Sequence, residues 1–192
     1  MAQFVNFNDI KTFTASPSSV EIGNASASVA LAWTFNATPT SLTLNGVSKS
    51  ITSTGETVTA IDDDVTHQVT YTLATSVGSK TVTFHFYPNL YWGVSSVASN
   101  PTSELVTGLA NKQLSGTKAK TFTVNAGAGE YIYYCCPVRS PYGAATFKVN
   151  GFDGGFEDGQ IVSVVNNSNY AENYYVYRST NPNLGETTVV VS

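Results

Sequence analysis

Strict alternation over Val29-Ala30-Leu31-Ala32-Trp33-Thr34-Phe35 puts Val29, Leu31, Trp33 and Phe35 on one side of an extended chain. A period of two suits a strand with one buried face; on a helix the same positions would spiral around the axis. The pattern returns in short runs along the sequence, each closed by Gly, Pro or Asn. Ser18–Gly23, Val58–Ile61, Val65–Leu73 and Lys80–Tyr87 read as strands, the last with Val82, Phe84 and Phe86 inward and His85 outward. Leu42-Thr43-Leu44, Asn45-Gly46 and Val47–Ile51 read as a hairpin, because Asn-Gly supplies the positive φ that a tight primed turn demands. Short strands at this spacing predict an all-β sandwich, and the early inward Trp33 suits an immunoglobulin-like core lacking the disulfide.

The second half is organised around Gly129–Phe156, GEYIYYCCPVRSPYGAATFKVNGFDGGF. Tyr131–Cys136 is aromatic and β-branched, and Pro137 ends it by withholding an amide from the ladder. The turn-rich Arg139–Gly143 leads to a strand over Ala145–Val149, and Asn150-Gly151 turns the chain again. Ala119–Val124, Gln160–Val165, Glu172–Arg178 and Glu186–Val191 read as further strands, and Ser103–Leu109 as one short helix limited by Gly108. At 192 residues the chain has room for two domains of about 90–100 residues each, which bury cores without disulfide or metal. The fold class expected is therefore all-β: two tandem β-sandwich domains, the first immunoglobulin-like, preceded by an extended N-terminal arm. The expected bounds are residues 1–15 for the arm, 16–87 for the first domain, 88–102 for a junction and 103–192 for the C-terminal sandwich.

Charged residues make up only 11% of the chain, against the usual ~25%, and Ser, Thr and Asn supply the missing polarity. The net charge of −4 and the scatter of nine basic residues argue against a nucleic-acid partner, which needs clustered Lys and Arg. No run approaches the roughly 18 apolar residues of a membrane span. The start, MAQFVNFNDIKTF, lacks the basic and apolar regions of a signal peptide, so synthesis in the cytoplasm is expected. Cys135 and Cys136 are neighbours that a strand would send to opposite faces, so they read as free core residues rather than a disulfide.

Little material for catalysis is present. His67 and His85 are the only histidines, and no nucleophile elbow, phosphate loop or zinc-binding H-E-x-x-H motif occurs. Asp62-Asp63-Asp64 and the loop Asp153–Asp158 could offer oxygen ligands to calcium, but consecutive carboxylates read more simply as solvated loops. Asp153, Glu157 and Asp158 could also serve as acid and base in glycoside cleavage. The residue reading is non-enzymatic, without cofactor or metal. Aromatic residues are the richer material. Phe4, Phe7 and Phe13 on the arm and Tyr91 and Trp92 at the junction are candidate assembly contacts. Among the eleven tyrosines, Tyr142, Tyr170 and Tyr174 are candidates for a ligand surface, since an apolar ring with a polar tip suits sugar stacking.

The block SVALAWTFNATPTSLTLNG, with VTYTLATSVGSKTVTFHFYPNLYWGVS after it, resembles an immunoglobulin-like module common in bacteriophage tail and fibre proteins. EYIYYCCP, FKVNGFDGGFE and YYVYRSTNPNLGETTVVV resemble the C-terminal module that follows it there. The resemblance runs over about residues 17–192. It implies a non-enzymatic virion structural protein: a short tail fibre or receptor-facing appendage, homo-oligomeric with a trimer favoured, attached to other virion proteins. A capsid-decorating protein or head fibre is the neighbouring reading, and a host-surface carbohydrate-binding module, with a host glycan as partner, is the reading from another class.

Overall fold

The computed structural model describes residues 10–192. Its contacts divide the chain into two compact units, one formed by the residues up to Val20 with Asn24–Phe86, the other by Glu21–Gly23 with Tyr87–Ser192. The chain is all-β with several sheets, of the sandwich class, and carries one short helix among the described residues.

In the first unit, β1 (Ile10–Ser16), β2 (Ser19–Glu21), β3 (Ser26–Phe35), β4 (Leu42–Leu44), β5 (Val47–Ser48), β6 (Gly55–Ile61), β7 (Gln68–Thr75) and β8 (Ser79–Tyr87) make two sheets. One is three-stranded in the order β1-β3-β6; the other is five-stranded in the order β2-β8-β7-β4-β5. Val29, Leu31 and Trp33 of β3 are buried while Ala30, Ala32 and Thr34 are exposed, as the alternation requires; Phe35 ends half-buried. The Trp33 indole N–H is satisfied by the Ser53 carbonyl at 2.7 Å. Asn45 and Gly46 turn β4 into β5 with φ of 49° and 79°.

Two expectations change here. Residues 10–15, read as part of an extended N-terminal arm, lie in β1, which pairs antiparallel with β3 from Ile10↔Phe35 to Ser16↔Ala30. Ile10 fills the core and Phe13 meets the Trp33 ring edge-on at 6.1 Å, so the segment has an apolar face of its own to bury. The strand expected from Val65 starts only at Gln68. The Asp63 carboxylate accepts from the amides of Val65, Thr66 and His67 at 3.1, 2.8 and 2.9 Å, which takes those groups away from any ladder.

The second unit begins with β9 (Asn89–Ser95), α1 (Ser103–Thr107), β10 (Asn111–Leu114), β11 (Lys120–Ala126) and β12 (Tyr131–Pro137). It continues with β13 (Phe147–Val149), β14 (Phe152–Asp153), β15 (Gln160–Val165), β16 (Ala171–Arg178) and β17 (Gly185–Val191). Its sheets run β10-β9-β12-β16-β15 and β11-β17-β13-β14. The residues expected to form a junction supply β9, an interior strand, because Leu90, Tyr91 and Gly93 are all buried. α1 is capped by the Thr102 side chain, which accepts from the Leu105 amide at 3.3 Å, and it stops at Thr107, with Gly108 as its C-cap.

Every residue from Ile132 to Pro137 is buried. One face of β12 contributes Ile132, Tyr134 and Cys136 to a core shared with Phe122, Phe147, Val189 and Val191 of the facing sheet. The other contributes Tyr133 and Cys135 to a second core with Val106, Leu109, Val164, Tyr174 and Val176. The helical segment thus closes the outer face of the five-stranded sheet, and a strand covered on both sides reads as a continuous apolar run rather than an alternation.

Candidate functional site

The sequence-derived contact residues do not gather on one surface. Phe4 and Phe7 lie outside the described residues, and Phe13 is packed on Trp33 within β1. Tyr91 is 3% exposed and packs on Tyr174 with ring centres 5.8 Å apart, so it is a core residue and not an assembly contact. Trp92 is half-buried on Phe122 at 5.9 Å, with the Lys120 ammonium 4.4 Å above its ring.

The tyrosine surface is likewise corrected. Tyr142 and Tyr174 are 3% and 4% exposed, and only Tyr170 is half-open to solvent. Their hydroxyls bond inward: Tyr142 donates to the Ser115 carbonyl at 2.5 Å and Tyr174 to that of Asn89 at 2.9 Å. Tyr133 reaches the Val97 carbonyl at 2.5 Å, Tyr134 that of Lys118, and the Tyr177 oxygen accepts from the Ala145 amide at 2.8 Å. The tyrosines therefore tie loops to strands, each ring filling core volume while its tip satisfies a backbone group that the core would otherwise orphan.

The acidic loops differ from each other. In Asp62–Asp64, the Asp62 oxygens lie 3.0 and 3.1 Å from His67 Nδ1, and Asp63 accepts from the Thr66 hydroxyl at 2.5 Å besides three amides. Hydrogen bonds from Thr66 and the loop amides hold the Asp63 carboxyl well below the usual carboxylate range. These oxygens point into their own loop. Among the described residues no three His, Cys, Asp or Glu side chains converge as a metal would require. The calcium reading of either loop has no ligand set.

Asp153–Asp158 instead borders an open cleft of about 540 Å³ lined by Ala145, Thr146, Phe147, Gly154, Phe156 and Tyr177 with Asp153, Glu157 and Asp158. Local backbone chemistry builds it. Asn150 and Gly151 turn β13 into β14 with φ of 50° and 88°, and Gly154 and Gly155 follow at 98° and 85°. A Cβ on Gly155 would stand 2.7 Å from Val149 Cγ2, so only glycine lets the chain pass. The Gly154 amide then bonds the Phe147 carbonyl at 2.9 Å and the Glu157 amide that of Arg178 at 2.9 Å. Pinned at both ends, Phe156 lies on Phe147 with ring centres 4.1 Å apart and planes 16° apart. Tyr177 meets Phe147 edge-on at 4.9 Å.

Around this floor the polar groups are mostly acceptors. Glu157 is bonded to the Arg178 guanidinium, which lies 4.4 Å over the Tyr131 ring. Asp153 is 3.3 Å from Lys148 and largely exposed. Asp158 has no hydrogen-bond or ion-pair partner among the described residues. Sequence reasoning marked these three carboxylates but missed Phe147 and Phe156; the Gly-Gly pair ahead of Phe156 was the available signal. No family model matches the chain, and neither does any curated protein or solved structure. No helix among the described residues is long and apolar enough to cross a membrane.

Proposed function

We propose that this chain is a non-enzymatic bacteriophage virion structural protein, a tail-associated short fibre or receptor-facing appendage that assembles as a homo-oligomer, with three copies favoured. On this reading the two units are tandem sandwich domains, the first immunoglobulin-like, and the chain works in the virion beside other virion proteins. The observation that carries it is the Ser28–Gly46 block: the residues of its fibre-module resemblance are those that build the first unit, with Trp33 in the core and Asn45-Gly46 at the hairpin. The low charge fits as well. Exposed strand faces are served by hydroxyl pairs, Thr12 with Thr34 at 2.7 Å, Thr70 with Thr83 at 3.1 Å and Thr123 with Thr188 at 2.9 Å. Such neutral surfaces pack against sister subunits without stranding buried charge.

The test is the solution mass of the purified chain by light scattering, with and without residues 1–9. The truncation stops there because Ile10–Ser16 is a strand of the first unit's sheet. A closed oligomer supports the reading, and its loss on truncation would make the N-terminal residues an assembly element. A monomer in both cases overturns it.

A further inference from the structure

We propose that the cleft floored by Phe156 binds one neutral sugar residue of a glycan. Three features of the site select that chemistry. First, the floor is aromatic, with Phe156 stacked on Phe147 and Tyr177 edge-on to Phe147. Phe147 covers one side of the Phe156 ring at 4.1 Å, and the ring's remaining surface helps line the cleft. A pyranose presents a matching flat patch of C–H groups. An organic cation would also contact these rings, and it is the competing ligand in the experiment below.

Second, the rim is built to accept hydrogen bonds. Asp153, Glu157 and Asp158 border the cleft, and Asp158 has no protein partner among the described residues. A ligand rich in hydroxyl donors satisfies these oxygens, whereas a purely apolar ligand would strip water from them without return. Third, the rim sets a sign. Three carboxylates face two cations, Lys148 on Asp153 and Arg178 on Glu157, so the uncompensated charge is negative and sits at Asp158. Uronic and other acidic sugars are disfavoured. The volume of about 540 Å³ falls within the ordinary range for small-molecule sites and is ample for one ring.

The wall is stiff where it needs to be. The Thr180 amide bonds the Gly155 carbonyl at 3.0 Å and the Glu157 amide that of Arg178 at 2.9 Å, so the platform is held before any ligand arrives. A shallow open site of this kind binds weakly, and several copies on one assembly would multiply its effect.

The experiment is a titration of the full, isotope-labelled chain with glucose, galactose, N-acetylglucosamine, glucuronic acid and tetramethylammonium, followed through backbone amide shifts. A neutral sugar is expected to shift Asp153–Asp158 saturably in the millimolar range, with glucuronic acid about tenfold weaker. Asp158→Asn is expected to weaken binding about tenfold, and Phe156→Leu, which keeps apolar volume but removes the aromatic face, at least as much. Shifts from no neutral sugar, saturation by tetramethylammonium alone, or affinity unchanged in both variants would each overturn the proposal. The inference does not rest on the assembly reading: the titration reads the cleft whatever the solution mass, so the two fail separately.

Discussion

Cys135 and Cys136 are chain neighbours buried in different cores. Cys135 stands opposite Tyr91 and Val176 on the face closed by the helical segment, while Cys136 joins Tyr134, Tyr177 and Phe147 between the two sheets. The strand's two-residue period separates them although they are adjacent in sequence.

Burial raises both thiols, Cys135 well above the ordinary range and Cys136 to about 12. The thiolate is the reactive form, so neither residue should react with a disulfide reagent at pH near 8 in the native chain. Both should react once the chain is unfolded in denaturant. Rapid labelling of either thiol without denaturant would show that one face of the five-stranded sheet opens.

Tyr174 tests the inward role of the tyrosines. Its hydroxyl donates to the Asn89 carbonyl inside the unit, and burial drives its ionisation far above the ordinary range. Tyr174→Phe leaves that carbonyl short of a donor and is expected to cost about 1–2 kcal/mol, read as a lower urea midpoint. Sugar binding should be unchanged, because the ring lies in the core and outside the cleft. A variant with native stability but altered ligand binding would return Tyr174 to the surface role its residue type suggested.

How much of this was legible depends on the kind of signal. The alternation in β3 and the Asn-Gly turns are local rules, and each sits where the sequence put it. Pro137, read as a stop after Cys136, is instead the last paired residue of β12, opposite Tyr174. β9 and β1 were missed for opposite reasons. Leu90-Tyr91-Trp92 follows a proline and looks like a wedge, and only its partners β10 and β12 make it an interior strand. Ile10 and Phe13 are too few to announce a strand until β3 offers them an edge. The tyrosines misled because ring type does not say which way a side chain points. The cleft's floor joins Phe147, Phe156 and Tyr177, whose meeting depends on sheet order and not on spacing.

Asp63 gives a pH prediction with a definite sign. Its folded carboxyl is depressed first by the Thr66 hydroxyl and then by loop amides. A depressed acid contributes stability that is present above its unfolded value, about 3.9, and is lost as pH falls from there toward the folded value. Asp63→Asn keeps an amide acceptor but no charge, so its stability should fall less between about pH 5 and about pH 2 than that of the unmodified chain. Denaturant midpoints across that window measure the difference. Parallel curves for the two proteins would remove the loop from the acid response.

Phe13 decides between two uses of the N-terminal segment. As an assembly contact, it would leave the unfolding of the isolated chain untouched when removed and would change only the solution mass. As found, it sits on β1 opposite Trp33, with its ring edge against the indole at 6.1 Å. It is half-buried, so truncation forfeits part of the ~3–5 kcal/mol typical of a buried phenylalanine, and Phe13→Ala is expected to cost about 1–2 kcal/mol. Trp33 fluorescence through the unfolding transition reports on the same unit, and light scattering on the same sample reports the mass. A lowered midpoint with unchanged mass makes β1 part of the first unit's own stability; an unchanged midpoint with altered mass gives the segment to the neighbour.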